Sequence, residues 1–205
     1  MKRLRSFAAR FSRSFMARLR VGKSLWLTLG ILVLGLPLRW LLAAAVSILV
    51  HELCHYLAVH LCGGQVYGLQ ITAAGVTMHT SLLSPARQMV CALAGPIGGI
   101  VLFFAAFSFP RIAICALAHS AFNLLPVAPL DGGRALECLL ALLFPRMGAF
   151  IYDILQKILA LVLLFVCLWA CFVQKLGILP LFIGFGLLIK SDLLTNPCKA
   201  GRLAV

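Results

Sequence analysis

Residues 40–62 read WLLAAAVSILVHELCHYLAVHLC, and this stretch determines what class of protein the chain belongs to. At about 1.5 Å per residue, a helix of this length crosses the roughly 30 Å hydrocarbon layer of a bilayer. Three ionisable side chains, those of His51, Glu52 and His55, stand in the middle of it. A charged side chain at that depth costs about 2.5 kcal/mol or more of insertion free energy, so packing alone explains such a group poorly.

These three residues form the pattern H-E-x-x-H. On a helix, side chains four positions apart project from one face, so the imidazoles of His51 and His55 can hold one metal ion. The carboxylate of Glu52 can then take a proton from an attacking water molecule. Catalytic zinc uses three nitrogen or oxygen ligands from the protein and keeps one position open. The pattern therefore predicts one zinc ion per chain, with Glu52 as the general base.

A third metal ligand has to come from another part of the sequence. In one class of zinc proteases a third histidine follows ten residues after the first, with a glycine between them. His60 lies nine residues after His51, without that glycine. In another class a glutamate on a following helix completes the site, and Glu137 is a candidate for that role.

Asp131 fits the third position better than Glu137. It lies just after Pro126 and Pro129, which break an apolar segment, and irregular backbone at membrane depth is tolerated where it lines a wet cavity. Gly132 and Gly133 let the chain pass close to the helix that carries the histidines. The alternative is that Asp131 is an ordinary turn residue at the end of a span.

The composition indicates a membrane protein throughout. Hydrophobic residues make up 63% of the 205 residues and charged residues 11%, whereas soluble domains carry about 25% charged residues. We expect an all-α polytopic membrane protein with about six transmembrane helices. The predicted apolar segments are 24–38, 40–62, 86–109, 112–125, 149–173 and 176–189.

Two segments between these spans differ in character. Residues 63–80 are rich in glycine and β-branched residues, which favours a short β-hairpin or loop at the membrane surface after the second helix. Residues 126–133 are expected to be extended, and residues 134–147 to form a re-entrant or amphipathic piece.

Basic residues are distributed unevenly, and the net charge is +13. With six spans and a cytoplasmic amino terminus, fourteen Lys and Arg side chains lie inside and three outside, as the positive-inside rule requires. Eight of the fourteen stand in the first 23 residues, where they favour anionic lipid headgroups. No binding domain follows this arm, so we expect no nucleic acid as a partner. Both termini are predicted to be cytoplasmic.

Together, H-E-L-C-H at 51–55 and N-L-L-P-V-A-P-L-D-G-G at 123–133 resemble the site-2 protease family of intramembrane zinc metalloproteases. Ala94-Gly95-Pro96 in the third span also resembles a recurrent segment of that family. The short chain, with a basic arm and an extra span before the H-E-x-x-H helix, is similar to the bacterial sporulation-type branch. That branch processes a membrane-associated transcription-factor precursor.

The resemblance implies a role for each matching residue. His51, His55 and Asp131 would ligate zinc, Glu52 would be the general base, and Asn123 would aid substrate or transition-state binding. His119 precedes Asn123 by four residues and shares its helix face, so it is either a hydrogen-bonding neighbour of the site or a packed polar residue.

Two positions depart from the family pattern. Cys54 stands where H-E-L-G-H has glycine, and Gly99 stands where asparagine is frequent. Neither change removes a predicted ligand.

The predicted function is intramembrane endoproteolysis of a membrane-spanning or membrane-associated protein. A regulatory membrane partner is compatible with it. The predicted organisation is a basic cytoplasmic arm (1–23), a transmembrane metalloprotease domain (24–195) and a short tail (196–205).

The alternative function is that of a metal transporter or a metal-binding membrane chaperone. Transport has no need for Glu52 beside a ligand histidine, and a conduction path would call for more polar residues in the last two spans.

Overall fold

A computed structural model describes residues 19–21, 35–72 and 75–172 of the chain. Within these ranges it consists of five helices and a small sheet. The helices are α1 (Leu38–Leu61), α2 (Pro85–Ala105), α3 (Pro110–Asn123), α4 (Asp131–Leu143) and α5 (Gly148–Phe172); the strands are β1 (Leu19–Val21), β2 (Val66–Thr72) and β3 (Gly75–Thr80).

Helix α1 contains the H-E-x-x-H pattern. It follows Pro37, whose carbonyl accepts hydrogen bonds from the amides of Trp40 and Leu41. The helix continues without a break to Leu61, after which Gly63 takes a φ of 79°. A residue with a Cβ adopts that backbone conformation at a cost, so glycine is the suitable residue for turning the chain from the helix into the sheet.

The sheet confirms the predicted hairpin and extends it. Strands β2 and β3 pair antiparallel, with a register irregularity between Val66 and Gly68. The third strand, β1, pairs parallel to β2, with Leu19 opposite Leu69. The sequence predicts a basic arm for residues 1–23 and no strand there. Residues 19–21 of that segment form β1, whose partner β2 lies far away in the sequence and is not indicated by any local pattern.

Helix α2 is the centre of the bundle and packs against α1, α3 and α4. Where α1 meets the sheet, a cluster of buried side chains joins the two to α2; it comprises Tyr56, Ala58, Val59, Val66, Leu69 and Cys91. Helix α2 contains Gly95, Gly98 and Gly99, whose missing side chains let neighbouring helices approach closely. This close approach positions the site described below.

Three of the described helices are long and apolar enough to cross a membrane: α1, α2 and residues 148–169 of α5. They correspond to the predicted segments 40–62, 86–109 and 149–173. The segment 112–125 forms α3, but its 14 residues span only about 21 Å, less than a bilayer core. Of the other two predicted segments, 176–189 lies outside the described residues, and so does 24–38 except for its last four residues.

One boundary differs from the expectation. Asp131, Gly132 and Gly133 were predicted at the end of an extended stretch, but they form the first turn of α4. The irregular backbone is confined to a connection of seven residues, 124–130, hereafter the proline loop. Pro129 lacks an amide hydrogen and disfavours helical backbone at the residue before it, so a helix can start two residues later, at Asp131.

Candidate metal centre

Three side-chain atoms from two helices converge in the interior. Nε2 of His51 lies 3.0 Å from Oδ2 of Asp131, Nε2 of His55 lies 3.1 Å from the same oxygen, and the two Nε2 atoms are 3.1 Å apart. His51 is 2% exposed, and the other two residues are half-buried. Among the described residues, these three form a group that could hold a metal ion.

The spacing of the three atoms fits a tetrahedral metal ion. With zinc bonds of about 2.0–2.1 Å, two ligand atoms of a regular tetrahedron are about 3.3 Å apart. The observed separations of 3.0–3.1 Å are close to that value. Two imidazole nitrogens and a carboxylate oxygen also make a donor set that catalytic zinc uses.

The second nitrogen of His55 indicates how its ring is protonated. Nδ1 lies 2.7 Å from the backbone carbonyl oxygen of Cys91, which can only accept, so Nδ1 carries the hydrogen. In a neutral ring, Nε2 then presents a lone pair to Oδ2 of Asp131 and Nε2 of His51. A cation among these atoms would stabilise an arrangement in which electron pairs face one another. A backbone carbonyl that accepts from the other ring nitrogen is a typical partner of a metal-binding histidine.

Gly95 of α2 leaves room for this group of ligands. A Cβ atom at this position would fall against Nε2 and Cε1 of His55 and would lie 2.7 Å from Nε2 of His51. These are the atoms that would bind the metal or flank it. The absence of a side chain at Gly95 is therefore a condition for the site.

Glu52 follows His51 on α1, and its side chain is half-buried. Its carboxylate is near enough to interact electrostatically with His51, His55 and Asp131. It lies outside the group of three converging atoms. Its place beside that group is compatible with a general base.

Asn123 is connected to the group of ligands through His119. Its Nδ2 donates to the carbonyl oxygen of His119 at 3.0 Å and lies 3.3 Å from Nε2 of the same residue. The His119 ring meets that of His51 edge to face, with centroids 4.6 Å apart. His119 is thus a neighbour of the site, and the role of Asn123 in catalysis stays a prediction.

Two other candidates from the sequence lie apart from the group. Glu137 is on α4, nearly two turns after Asp131, and is not a member of the metal group. His60 is at the end of α1, where its ring packs on that of Tyr56 with centroids 4.5 Å apart. The structure thus brings Asp131 to the two histidines and leaves both alternatives away from them.

The fold is similar to that of a protein of known structure. The chain is similar to a structure described as "Site-2 Protease from Methanocaldococcus jannaschii", with a TM-score of 0.63 and 19% sequence identity. The match covers 86% of this chain and 90% of that one. This chain has the site-2 protease fold. No family model and no curated protein sequence matches the chain significantly.

Cys54 and Gly99, the two residues that differ from the site-2 protease pattern, each lie where a side chain of one helix packs against a glycine of another. The sulfur of Cys54 occupies the space that a side chain at Gly98 would need. At Gly99 that space is taken by the hydroxyl of Ser120, which is fully buried and has no hydrogen-bond partner within the described part of the chain. In each case a side chain on a neighbouring helix fills the gap left by a glycine of α2.

The sequence did not single out one residue of this chain that contacts the backbone near the site. Gln156 on α5 is 4% exposed, and its carboxamide bonds to the backbone of the proline loop, just before Asp131. A signal was present, because a polar amide interrupts the apolar segment 149–173.

Proposed function

We propose that the protein is an intramembrane zinc endopeptidase that hydrolyses a peptide bond of a membrane-spanning or membrane-associated protein. The observation that carries the proposal is the meeting of Asp131 with His51 and His55, which, like the adjacent Glu52, lie in the middle of a helix long enough to cross a bilayer. The similarity in fold to a site-2 protease supports it.

His51, His55 and Asp131 would hold the zinc ion through the three converging atoms. Bound zinc supplies a Lewis acid for the scissile carbonyl and lowers the pKa of a water molecule at its open position. Glu52 is assigned as the general base that takes the proton of that water and returns it to the leaving amine. Asn123, through its amide, would help to orient the substrate beside His119.

The location follows from the same features. Apolar helices α1, α2 and α5 suit a multi-pass protein of the cell membrane. The excess of Lys and Arg in the first 23 residues supports cytoplasmic termini.

A substrate helix shields its own amides by hydrogen bonds, so it must unwind before cleavage.

A metal transporter is the competing function. Transport would use the same ligands but would not need Glu52. The experiment is therefore the Glu52→Gln variant, which removes the base and keeps the size of the side chain. Our proposal predicts that this variant retains zinc and loses cleavage of single-span test substrates in liposomes. Unchanged cleavage would contradict it, and so would zinc uptake into liposomes without any cleavage by the wild-type protein.

A further inference from the structure

Gln156 is a buried polar residue in a mostly apolar helix, whose charged residues Asp153 and Lys157 pair with each other on a more exposed face. It lies on α5, is 4% exposed, and stands in the candidate membrane span 148–169. A buried amide without hydrogen-bond partners costs several kcal/mol in an apolar environment. A residue of this kind is expected to be paired, and its partners indicate what it does.

Both polar atoms of the Gln156 carboxamide bond to the proline loop. Oε1 accepts a hydrogen bond of 2.7 Å from the backbone amide of Ala128, and Nε2 donates one of 2.9 Å to the carbonyl oxygen of Pro126. One side chain thus holds the loop at two points, two residues apart. The nearer of the two points, Ala128, is three residues before Asp131.

The proline loop needs an external partner because its sequence limits internal ones. Pro126 and Pro129 have no amide hydrogen to donate. Two short backbone bonds remain within the loop, from Val127 to Leu125 and from Leu130 to Val127. The amide of Ala128 and the carbonyl of Pro126 turn instead to α5.

The loop in turn sets the position of α4. A Cβ atom at Gly133 would lie 2.6 Å from the carbonyl carbon of Val127 and 2.7 Å from the nitrogen of Ala128. The loop therefore lies directly on the first turn of α4, where Asp131 presents Oδ2 to the two histidines. A shift of the loop would move this turn and its carboxylate.

We propose that Gln156 is a positioning residue that holds Asp131 at the metal centre by clamping the proline loop to α5. The inference rests on the proposed function, since it requires that Asp131 bind the metal. Gln156 itself makes no contact with the three converging atoms, so it acts through the loop.

The test compares Gln156→Met, which keeps the shape and loses both hydrogen bonds, with Gln70→Met. Gln70 is exposed on strand β2 and pairs there with Thr77 of β3, outside the helices that carry the metal group. We measure zinc affinity in detergent by competition with a chelator, and the visible absorption of the cobalt(II)-substituted protein. Loss of a group that orients a metal ligand typically lowers affinity 10–100-fold. We expect a loss of about that size and altered cobalt bands in Gln156→Met, with neither change in Gln70→Met.

A double-mutant cycle separates positioning from general stability. In an Asp131→Ala background, where the two imidazoles bind zinc only weakly and zinc is titrated at higher concentration, Gln156→Met should cause no further loss of zinc affinity, because the carboxylate that it positions is gone. An equal loss in both backgrounds, or wild-type affinity and cobalt bands in the single variant, would overturn the inference. If Gln156→Met does not fold, Gln156→Asn, whose amide is one methylene too short, replaces it in the same cycle.

The outcome for the proposed function is read separately on the wild-type protein. If the wild type binds zinc and cleaves substrate while Gln156→Met behaves like it, the positioning role alone is wrong. A wild-type protein that binds no zinc contradicts the metal centre itself and this inference with it.

Discussion

His55 on α1 donates a hydrogen bond of 2.7 Å from Nδ1 to the backbone carbonyl of Cys91 on α2. The backbone of one helix therefore fixes the ring orientation of a candidate ligand on another. One turn further along α2, Gly95 leaves the space into which the imidazoles of His51 and His55 point. Helix α2 contributes no predicted ligand, yet it determines the geometry of two.

Gly95→Ala should abolish zinc binding, because the added methyl group would fall against Nε2 of His55 and Nε2 of His51. Alanine favours a helix over glycine by about 1 kcal/mol, so weakening of α2 would not be the cause. Zinc content of the purified protein is the measurement. Gly35→Ala is the matched control, since its methyl group would meet no atom of the described residues within 4 Å. Full zinc content in Gly95→Ala would show that the site lies elsewhere.

The wild-type protein should contain about one zinc ion per chain, and His51→Ala or His55→Ala should each lose it. Each substitution leaves two of the three converging atoms, too few for a stable site at low metal concentration. Elemental analysis of detergent-purified protein measures this. Full zinc content in either variant would rule out the ligand assignment. Iron in place of zinc in the wild-type protein would contradict the choice of zinc as the bound metal.

Asp131→Asn should lose zinc and proteolysis, because it removes the charge that partly neutralises the ion in an apolar environment. Glu137→Gln should keep zinc and most activity, since Glu137 lies outside the metal group. Zinc content and cleavage of a single-span test substrate are measured for both variants. An active Asp131→Asn together with an inactive Glu137→Gln would reverse the choice of third ligand.

Gly98→Ala should lower thermal stability, because the new Cβ would overlap the sulfur of Cys54 and lie 2.9 Å from its Cβ. Overpacking of this kind typically costs 1–3 kcal/mol. Adding Cys54→Gly, which restores the glycine of H-E-L-G-H, should recover much of the loss. Thermal unfolding of the two single variants and the double variant is the measurement. Additive effects would mean that the two positions do not share this contact.

The amino-terminal arm should be cytoplasmic. A single cysteine introduced near Arg10, in a variant whose other cysteines are replaced, should react with a membrane-impermeant thiol reagent only after the cells are opened. The reason is the positive-inside rule. Labelling of intact cells would reverse the orientation.

Much of the site could be predicted from local sequence. The apolar run around His51 and His55 required a helix, and the i, i+4 spacing required a shared face. The prolines before Asp131 correctly marked an interruption of the helix. The pairing of β1 with β2 could not be predicted, since nothing near Leu19 identifies a partner fifty residues away. The hydrogen-bond partners of Gln156 could not be predicted for the same reason, because they are 28 and 30 residues away.

Asp131 is separated from His55 by 76 residues and from His51 by 80. Both histidines of α1 are therefore synthesised well before the codon for their carboxylate partner is read. During that interval no three-ligand centre exists, and the nascent chain cannot hold zinc tightly. The centre is complete only when α4 has packed against α2, so an endopeptidase of the proposed kind would stay inactive until the bundle has assembled.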